Sequence, residues 1–308
     1  MRWVVRSGDG ATVGDIVRRA GQPAQAIAEG RVFLGRKRVK SASERVATGD
    51  EVTIHGPRSE ARGAGPMRDE VVIVRNEREL VAAIKPSGMP TVPDHAGSAH
   101  AFVALVAAAI GRSVDELRVT SRLDREVSGA VVFATSAEAE AELKEARARG
   151  LYERTYVAIA TNAAALPAEG TWSGAIGDGK DPRHRSVGGK NAKESETRFR
   201  VVARAGAFAL LAVSPITGRT HQIRVHSAHA GAPLLGDRDY GGAARVTLDD
   251  GAIVALSRIA LHAARVRVTL ASGVFVAEAP IPAELTRAWA ALGGAEEAWG
   301  RVHDGPGG

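Results

Sequence analysis

The chain of 308 residues has no cysteine, which excludes disulfides and thiolate metal ligands and fits a reducing compartment. No apolar run approaches the roughly 20 residues that span a bilayer. The start, Met1-Arg-Trp-Val-Val-Arg6, lacks the basic, apolar and cleavage regions of a signal peptide. A cytoplasmic protein without membrane attachment is therefore expected. Gly-x-Ser-x-Gly is absent, as is any Gly-x-x-x-x-Gly-Lys-Ser/Thr run, so the serine-hydrolase elbow and the phosphate-cradling loop have no motif. Aromatic residues are scarce at 4%, with three tyrosines in all.

Charge is present but uneven. The net charge is +6, and residues 1 to 69 carry 13 Lys/Arg against 8 Asp/Glu, leaving 28 against 27 for everything after. This polarity suits a basic front module with phosphate affinity on a near-neutral body. A merely solvated basic face would show the same counts.

The patterning divides the chain into a module over 1–56, a Gly-, Pro- and charge-rich linker over 57–69, a body over 70–292 and a flexible tail over 293–308. In the module, helices are expected over 12–20 and 22–30, then a hairpin carrying Arg36, Lys37, Arg38 and Lys40, then a strand over 51–54. The body shows strand-like runs at 71–74, 80–84, 130–134, 156–160, 197–202, 208–213, 266–270 and 274–277, and helix-like runs at 99–110, 137–149, 220–230 and 283–292. Strands outnumber helices, and the pair 266–270 and 274–277 reads as a hairpin around Ala271-Ser-Gly273. The expected class is α+β: a mixed, largely antiparallel sheet with flanking helices, plus a small N-terminal α/β module.

Two runs carry chemistry. In Val119-Thr-Ser-Arg-Leu-Asp-Arg-Glu-Val-Ser-Gly129, Asp124 stands between Arg122 and Arg125 at the mouth of an apolar strand. A carboxylate flanked by fixed cations tends to stay ionised at neutral pH, which suits a nucleophile or base. In Pro215-Ile-Thr-Gly-Arg-Thr-His-Gln-Ile-Arg-Val-His226, a helix opening near Thr220 places His221 and Arg224 one turn apart on one side, from where Arg224 can reach a carboxylate. The spacing of His221, His226 and His229 does not put three imidazoles on one helical face, so no metal site is expected. Tyr156 alternates with Val157 and Ile159 along a strand, and its ring can stack on a base or pack half-buried.

Arg122-Leu-Asp124 with Ser128-Gly129, the Gly218 to His226 run and Gly236-Asp237 closely resemble the RluA family of RNA pseudouridine synthases. Lys85-Pro-Ser-Gly88, Tyr156-Val-Ala158, Gly189-Lys-Asn-Ala192 and Leu261-His-Ala263 agree in order. The likeness spans about residues 70 to 290, and residues 8 to 56 resemble the small RNA-binding module named for the S-four ribosomal protein. The resemblance implies isomerisation of uridine within RNA without metal or redox cofactor; the basic front module leans toward ribosomal RNA over transfer RNA, and a monomer is the default expectation. It implies that Asp124 is the catalytic carboxylate, acting on sugar or base, that Arg224 pairs with it, and that Tyr156 lies beneath the target base. Arg122 would fill the space of the flipped nucleotide, and Arg125, Arg219, His221 and Gln222, with the basic hairpin, would contact RNA. Ser121 and Val127 stand where the family commonly has His and Thr, which implies altered substrate contact or rate. Two other readings share these residues: an RNA-binding assembly factor without the reaction, and an acid-dependent glycosidase, for which no second carboxylate stands out.

Overall fold

The computed structural model describes residues 2–28, 32–35, 37–54, 71–93, 101–181 and 184–302, in two compact units, Met1–Gly65 and Pro66–Gly308. The expected linker, 57–69, lies outside the described residues. The N-terminal unit runs β1 (Arg2–Val4), α1 (Val13–Arg19), α2 (Gln25–Ala28), β2 (Val32–Leu34), β3 (Lys37–Arg38) and β4 (Glu51–Ile54). Its four strands form one antiparallel sheet in the order β1-β4-β2-β3. Thr12 and Asp15 close a capping box at the start of α1, which satisfies backbone donors that the first turn leaves open. Val13, Ile16, Val17, Ile27, Val32, Val52 and Ile54 then share one small core.

The larger unit continues with β5 (Val72–Glu77), β6 (Leu80–Lys85), α3 (Phe102–Ala109), β7 (Arg118–Val119), β8 (Ser128–Ala134), α4 (Ala137–Ala148) and β9 (Tyr152–Ala160). After these come β10 (Glu169–Ser173), β11 (Ile176–Asp178), β12 (Arg185–Val187), β13 (Lys190–Lys193), β14 (Glu196–Ala205), β15 (Phe208–Pro215) and α5 (Gln222–His229). It closes with β16 (Arg245–Thr247), β17 (Ile253–Ala255), β18 (Leu261–Leu270), β19 (Gly273–Glu278) and α6 (Ala283–Ala291). Ten strands make one sheet, ordered β10-β14-β15-β9-β18-β8-β6-β5 with β19 on β18 and β7 on β8. Every pairing is antiparallel except β18 with β8, so the class is α+β with a mixed, largely antiparallel sheet. No helix among the described residues is long and apolar enough to cross a membrane.

The parallel pair lies near the sheet centre, where His262 and Ala263 register with Ser128 and Gly129. Gly129 has φ +126, and a Cβ there would lie 2.3 Å from the Ala263 carbonyl oxygen, so only glycine permits the approach. On the other side of β18, Ala263 registers with Tyr156. The run after Asp124 and the strand bearing Tyr156 are thus brought together through one shared neighbour. Alternation along β9 sends Val157 and Ile159 into a core with Trp289, and Tyr156 and Ala158 into another with Val127 and Leu261.

Two expectations need correction. Residues 293–302 are not a free tail: Glu296–Arg301 forms a 3-10 helix, Ala298 and Val302 are buried, and the Trp289 indole donates to the Ala295 carbonyl at 3.1 Å. A buried tryptophan needs both an apolar cover and an acceptor, and this segment supplies both. His221 does not belong to the helix expected from 220, since α5 opens at Gln222 and His221 is left-handed at φ 57. Gly129→Ala is expected to cost about 3 kcal/mol or more in urea or thermal unfolding, because two paired backbones must part.

Candidate active site

The Asp124 turn owes its shape to a neighbouring segment that satisfies its backbone. Thr91 holds both backbone groups of Leu123, its Oγ1 donating to the carbonyl at 2.9 Å and accepting from the N–H at 3.1 Å. Ser87 donates to the Glu126 carbonyl at 2.7 Å. The Gly88 N–H donates to the Arg125 carbonyl at 2.8 Å. Lys85, fully buried, donates from Nζ to the carbonyls of Pro86, Met89 and Arg125 at 2.8, 2.7 and 3.1 Å. Burial pulls its ammonium down to about 7, reinforced by Arg258 and opposed by Asp124. This is the work of the Lys85-Pro-Ser-Gly88 run: with Thr91 it pins each residue beside Asp124.

Arg224 comes from the first turn of α5. Its side chain is only 3% exposed, which makes ion pairing obligatory. Asp237, 1% exposed, takes Nε and Nη2 in a two-pronged pair at 2.8 Å each, and Asp239 accepts from Nη2 at 2.8 Å. The guanidinium carbon lies 4.8 Å from the Tyr240 ring centroid. The remaining Nη1 reaches Asp124 at 3.4 Å. Burial opposes the charge, but the hydrogen bonds and charge of Asp237, with the charge of Asp124, hold Arg224 above the usual arginine range. The Gly236-Asp237 turn is a close backbone crossing, since a Cβ on Gly236 would lie 2.0 Å from the Arg258 carbonyl oxygen. Asp237 is thereby aimed inward.

Asp124, 24% exposed, opens onto a cavity of about 470 Å³ that Tyr156, Arg224, His221 and Leu261 also line, a size suited to one nucleotide. Tyr156 is buried, and that burial raises its hydroxyl above the usual phenol range, with the Arg154 charge acting against it. A carboxylate, a guanidinium and a phenol thus line one cavity, the set needed for a nucleophile or base beside a proton-handling ring. Arg147 and Arg154 add cationic wall that the sequence reading missed. Arg147 lies 4.5 Å from the Tyr152 ring centroid and donates to the Thr120 carbonyl, while Arg154 donates to the carbonyls of Pro215 and Thr217 at 3.1 and 2.8 Å. The only cue was their place at a helix end and beside Tyr156.

The expected RNA contacts divide. Arg122, Arg125 and Arg219 are exposed around the cavity, and His221 is half-buried in its wall. Gln222 is different: buried, it accepts from Thr217 Oγ1 and the Arg219 N–H at 2.7 and 2.9 Å and donates to the Glu196 carbonyl and Thr197 Oγ1 at 2.8 and 2.9 Å. Its amide is fully used in closing the loop into α5, so it serves the fold and not RNA. In the N-terminal unit Lys37, Arg38 and Lys40 are exposed, with Lys37 3.4 Å from Glu44, and Arg36 lies outside the described residues. Ser121 lies 3.2 Å from the Tyr152 hydroxyl, and Val127 is buried in the Tyr156 core.

Known proteins resemble this chain in sequence and in fold. The family model described as RNA pseudouridylate synthase covers residues 79–229. The chain is 35% identical over 249 residues to the uncharacterized RNA pseudouridine synthase YhcT of Bacillus subtilis, covering 78% of each chain. It is 30% identical over 282 residues to the ribosomal large subunit pseudouridine synthase C of Salmonella typhi, covering 85% of this chain and 84% of that one. The solved structure of human RNA pseudouridylate synthase domain containing 1 superposes with a TM-score of 0.56 at 22% identity, over 70% of this chain and 86% of that one. The chain belongs to the RNA pseudouridine synthases, in the RluA family whose motifs it carries. It is an isomerase that converts uridine to pseudouridine in RNA.

Asp237→Asn turns an amide donor or a weaker acceptor toward a buried guanidinium. A loss of about 3–5 kcal/mol of stability is expected from thermal or urea unfolding, together with a fall in kcat.

Proposed function

We propose that the enzyme modifies ribosomal RNA in the cytoplasm, with Asp124 as catalytic carboxylate, Arg224 as its cationic partner and Tyr156 as the floor under the target base. The observation that carries this reading is the meeting of those three side chains on one cavity, with Arg224 Nη1 3.4 Å from Asp124. An RNA base held in a helix cannot reach such a cavity, so the nucleotide is flipped out, at an unstacking cost of about a few kcal/mol. Arg122, exposed at the rim beside Asp124, offers a planar cation to fill the vacated stack. The name of the Salmonella typhi relative, a ribosomal large subunit synthase, supports ribosomal RNA as the substrate.

The N-terminal unit is proposed as an S-four-like RNA-binding module. Its support is a compact α/β core with exposed Lys37, Arg38 and Lys40 on and beside one hairpin. Phosphate contacts of this kind supply salt-dependent affinity but no sequence address.

Asp124→Asn is expected to lower product formation by at least roughly a thousand-fold while leaving RNA affinity nearly unchanged. Chemical labelling of pseudouridine in ribosomal RNA, alongside a filter-binding titration, checks both, and retained turnover would refute the assignment. Arg122→Ala is expected to slow turnover on structured RNA by roughly ten-fold, and less on an unstructured oligonucleotide, where little stacking has to be broken. Equal slowing on both substrates would remove Arg122 from the flipping step.

A further inference from the structure

Tyr240 does not line the cavity, yet it touches two residues that do. Its ring lies 4.8 Å from the Arg224 guanidinium carbon, and its hydroxyl oxygen lies 2.7 Å from Nδ1 of His221. The same oxygen accepts the backbone N–H of Arg185, from β12, at 2.9 Å. A phenol carries one proton, and an amide N–H can only donate. With Arg185 donating to the oxygen, the phenol keeps its own proton to give, and a bond from that proton to Nδ1 requires a bare Nδ1. A neutral imidazole whose Nδ1 accepts must carry its proton on Nε2.

We propose that Tyr240 is a positioning residue that locks His221 in the Nε2–H form, so that His221 presents an N–H donor to an acceptor oxygen of the bound nucleotide. The proposal deepens the reading above, since it rests on the nucleotide lying in this cavity. Three further observations agree with it. The backbone of His221 is left-handed, at φ 57, a conformation uncommon outside glycine that sets the ring's direction from the start of α5. Burial keeps the ring below the ordinary histidine range, with Arg224 acting in the same direction and Asp124, Asp237 and Asp239 opposing. The donor that orients the phenol belongs to the small sheet of β11, β12 and β13, so the seating of that sheet sets the proton pattern in the cavity.

The tautomer is read directly from ring-nitrogen NMR of the full chain labelled with ¹⁵N-histidine, with His221 assigned by the signals lost in His221→Gln. Near neutral pH, Nε2 is expected to be protonated and Nδ1 bare. Tyr240→Phe, which removes the bond to the bare nitrogen, is expected to mix the tautomers and raise the ring's pKa. Protonated Nδ1, or an imidazolium, in the unsubstituted protein overturns the proposal. This measurement needs no turnover, so its failure leaves the Asp124 assignment untouched.

Kinetics supply the second arm. Glutamine can place an N–H near the position of Nε2, whereas asparagine cannot reach it but is better tolerated in left-handed backbone. His221→Gln is therefore expected to retain roughly two- to ten-fold more kcat/KM than His221→Asn, against the order that backbone strain alone would give. Equal or inverted values overturn the donor role. If the difference disappears on RNA carrying 2-thiouridine or 4-thiouridine at the modified position, the acceptor is that carbonyl. If it persists with both, the acceptor is a ribose or phosphate oxygen, and either result supports the donor.

Discussion

A guanidinium 3% exposed to solvent dictates much of the architecture around the cavity. Removing such a charge from water costs several kcal/mol, and only close, well-oriented carboxylates offset it. Asp237 matches the fork of Arg224 with two bonds of 2.8 Å, Asp239 adds a third of 2.8 Å, and the Tyr240 ring covers the face. These partners come from the turn after α5, so helix and turn must close on each other before the charge is satisfied. What remains of the guanidinium, Nη1, is left for Asp124 at 3.4 Å. The longer distance is the consequence of a ranking: Asp237 anchors Arg224, and Asp124 meets an arginine already fixed in place.

The other half of the site is fixed from the opposite direction. Asp124 belongs to no helix or strand, and an irregular turn at a cavity mouth would ordinarily be mobile. Here its neighbours' carbonyls and N–H groups are taken up by Thr91, Ser87, Gly88 and Lys85. The backbone crossing at Gly129 then joins the turn to β18. A carboxylate held in this way needs little reordering when substrate arrives, which is the physical content of preorganisation. The positive lining from Arg147 and Arg154 fits a polyanionic substrate, and those side chains are themselves tied down by backbone carbonyls.

Long apolar strands and well-capped helices were legible in the sequence because their signals are local. The helix after Ser136 was expected over 137–149 and runs Ala137–Ala148, with Ser136 accepting from the Ala139 N–H. The 266–270 and 274–277 hairpin was expected around Ala271-Ser-Gly273 and is found with Leu270 opposite Gly273. Strands such as Lys190–Lys193 had no legible signal, since all four residues are exposed and no apolar face alternates. His221 was misplaced into the helix for a related reason: the side-chain spacing fits, but the residue has a left-handed backbone and its ring meets Tyr240, 19 residues further along. Gln222 was expected to contact RNA from the resemblance, whereas its four hydrogen bonds bind the loop to β14 and to the chain before α5.

By itself the sequence determined the chemical inventory and the class of fold: one carboxylate before a buried strand, one arginine in a short helix, a tyrosine in a strand, and a sheet mostly antiparallel by its hairpins. Those properties follow from residue type and local periodicity, which any window of the chain contains. Only the tertiary structure decided which carboxylate holds the arginine and which merely meets it, that Lys85 and Thr91 shape the Asp124 turn, and that the phenol of Tyr240 meets the imidazole of His221. Such decisions rest on distances of about 3 Å between residues far apart in the chain, and the folded backbone alone sets those distances.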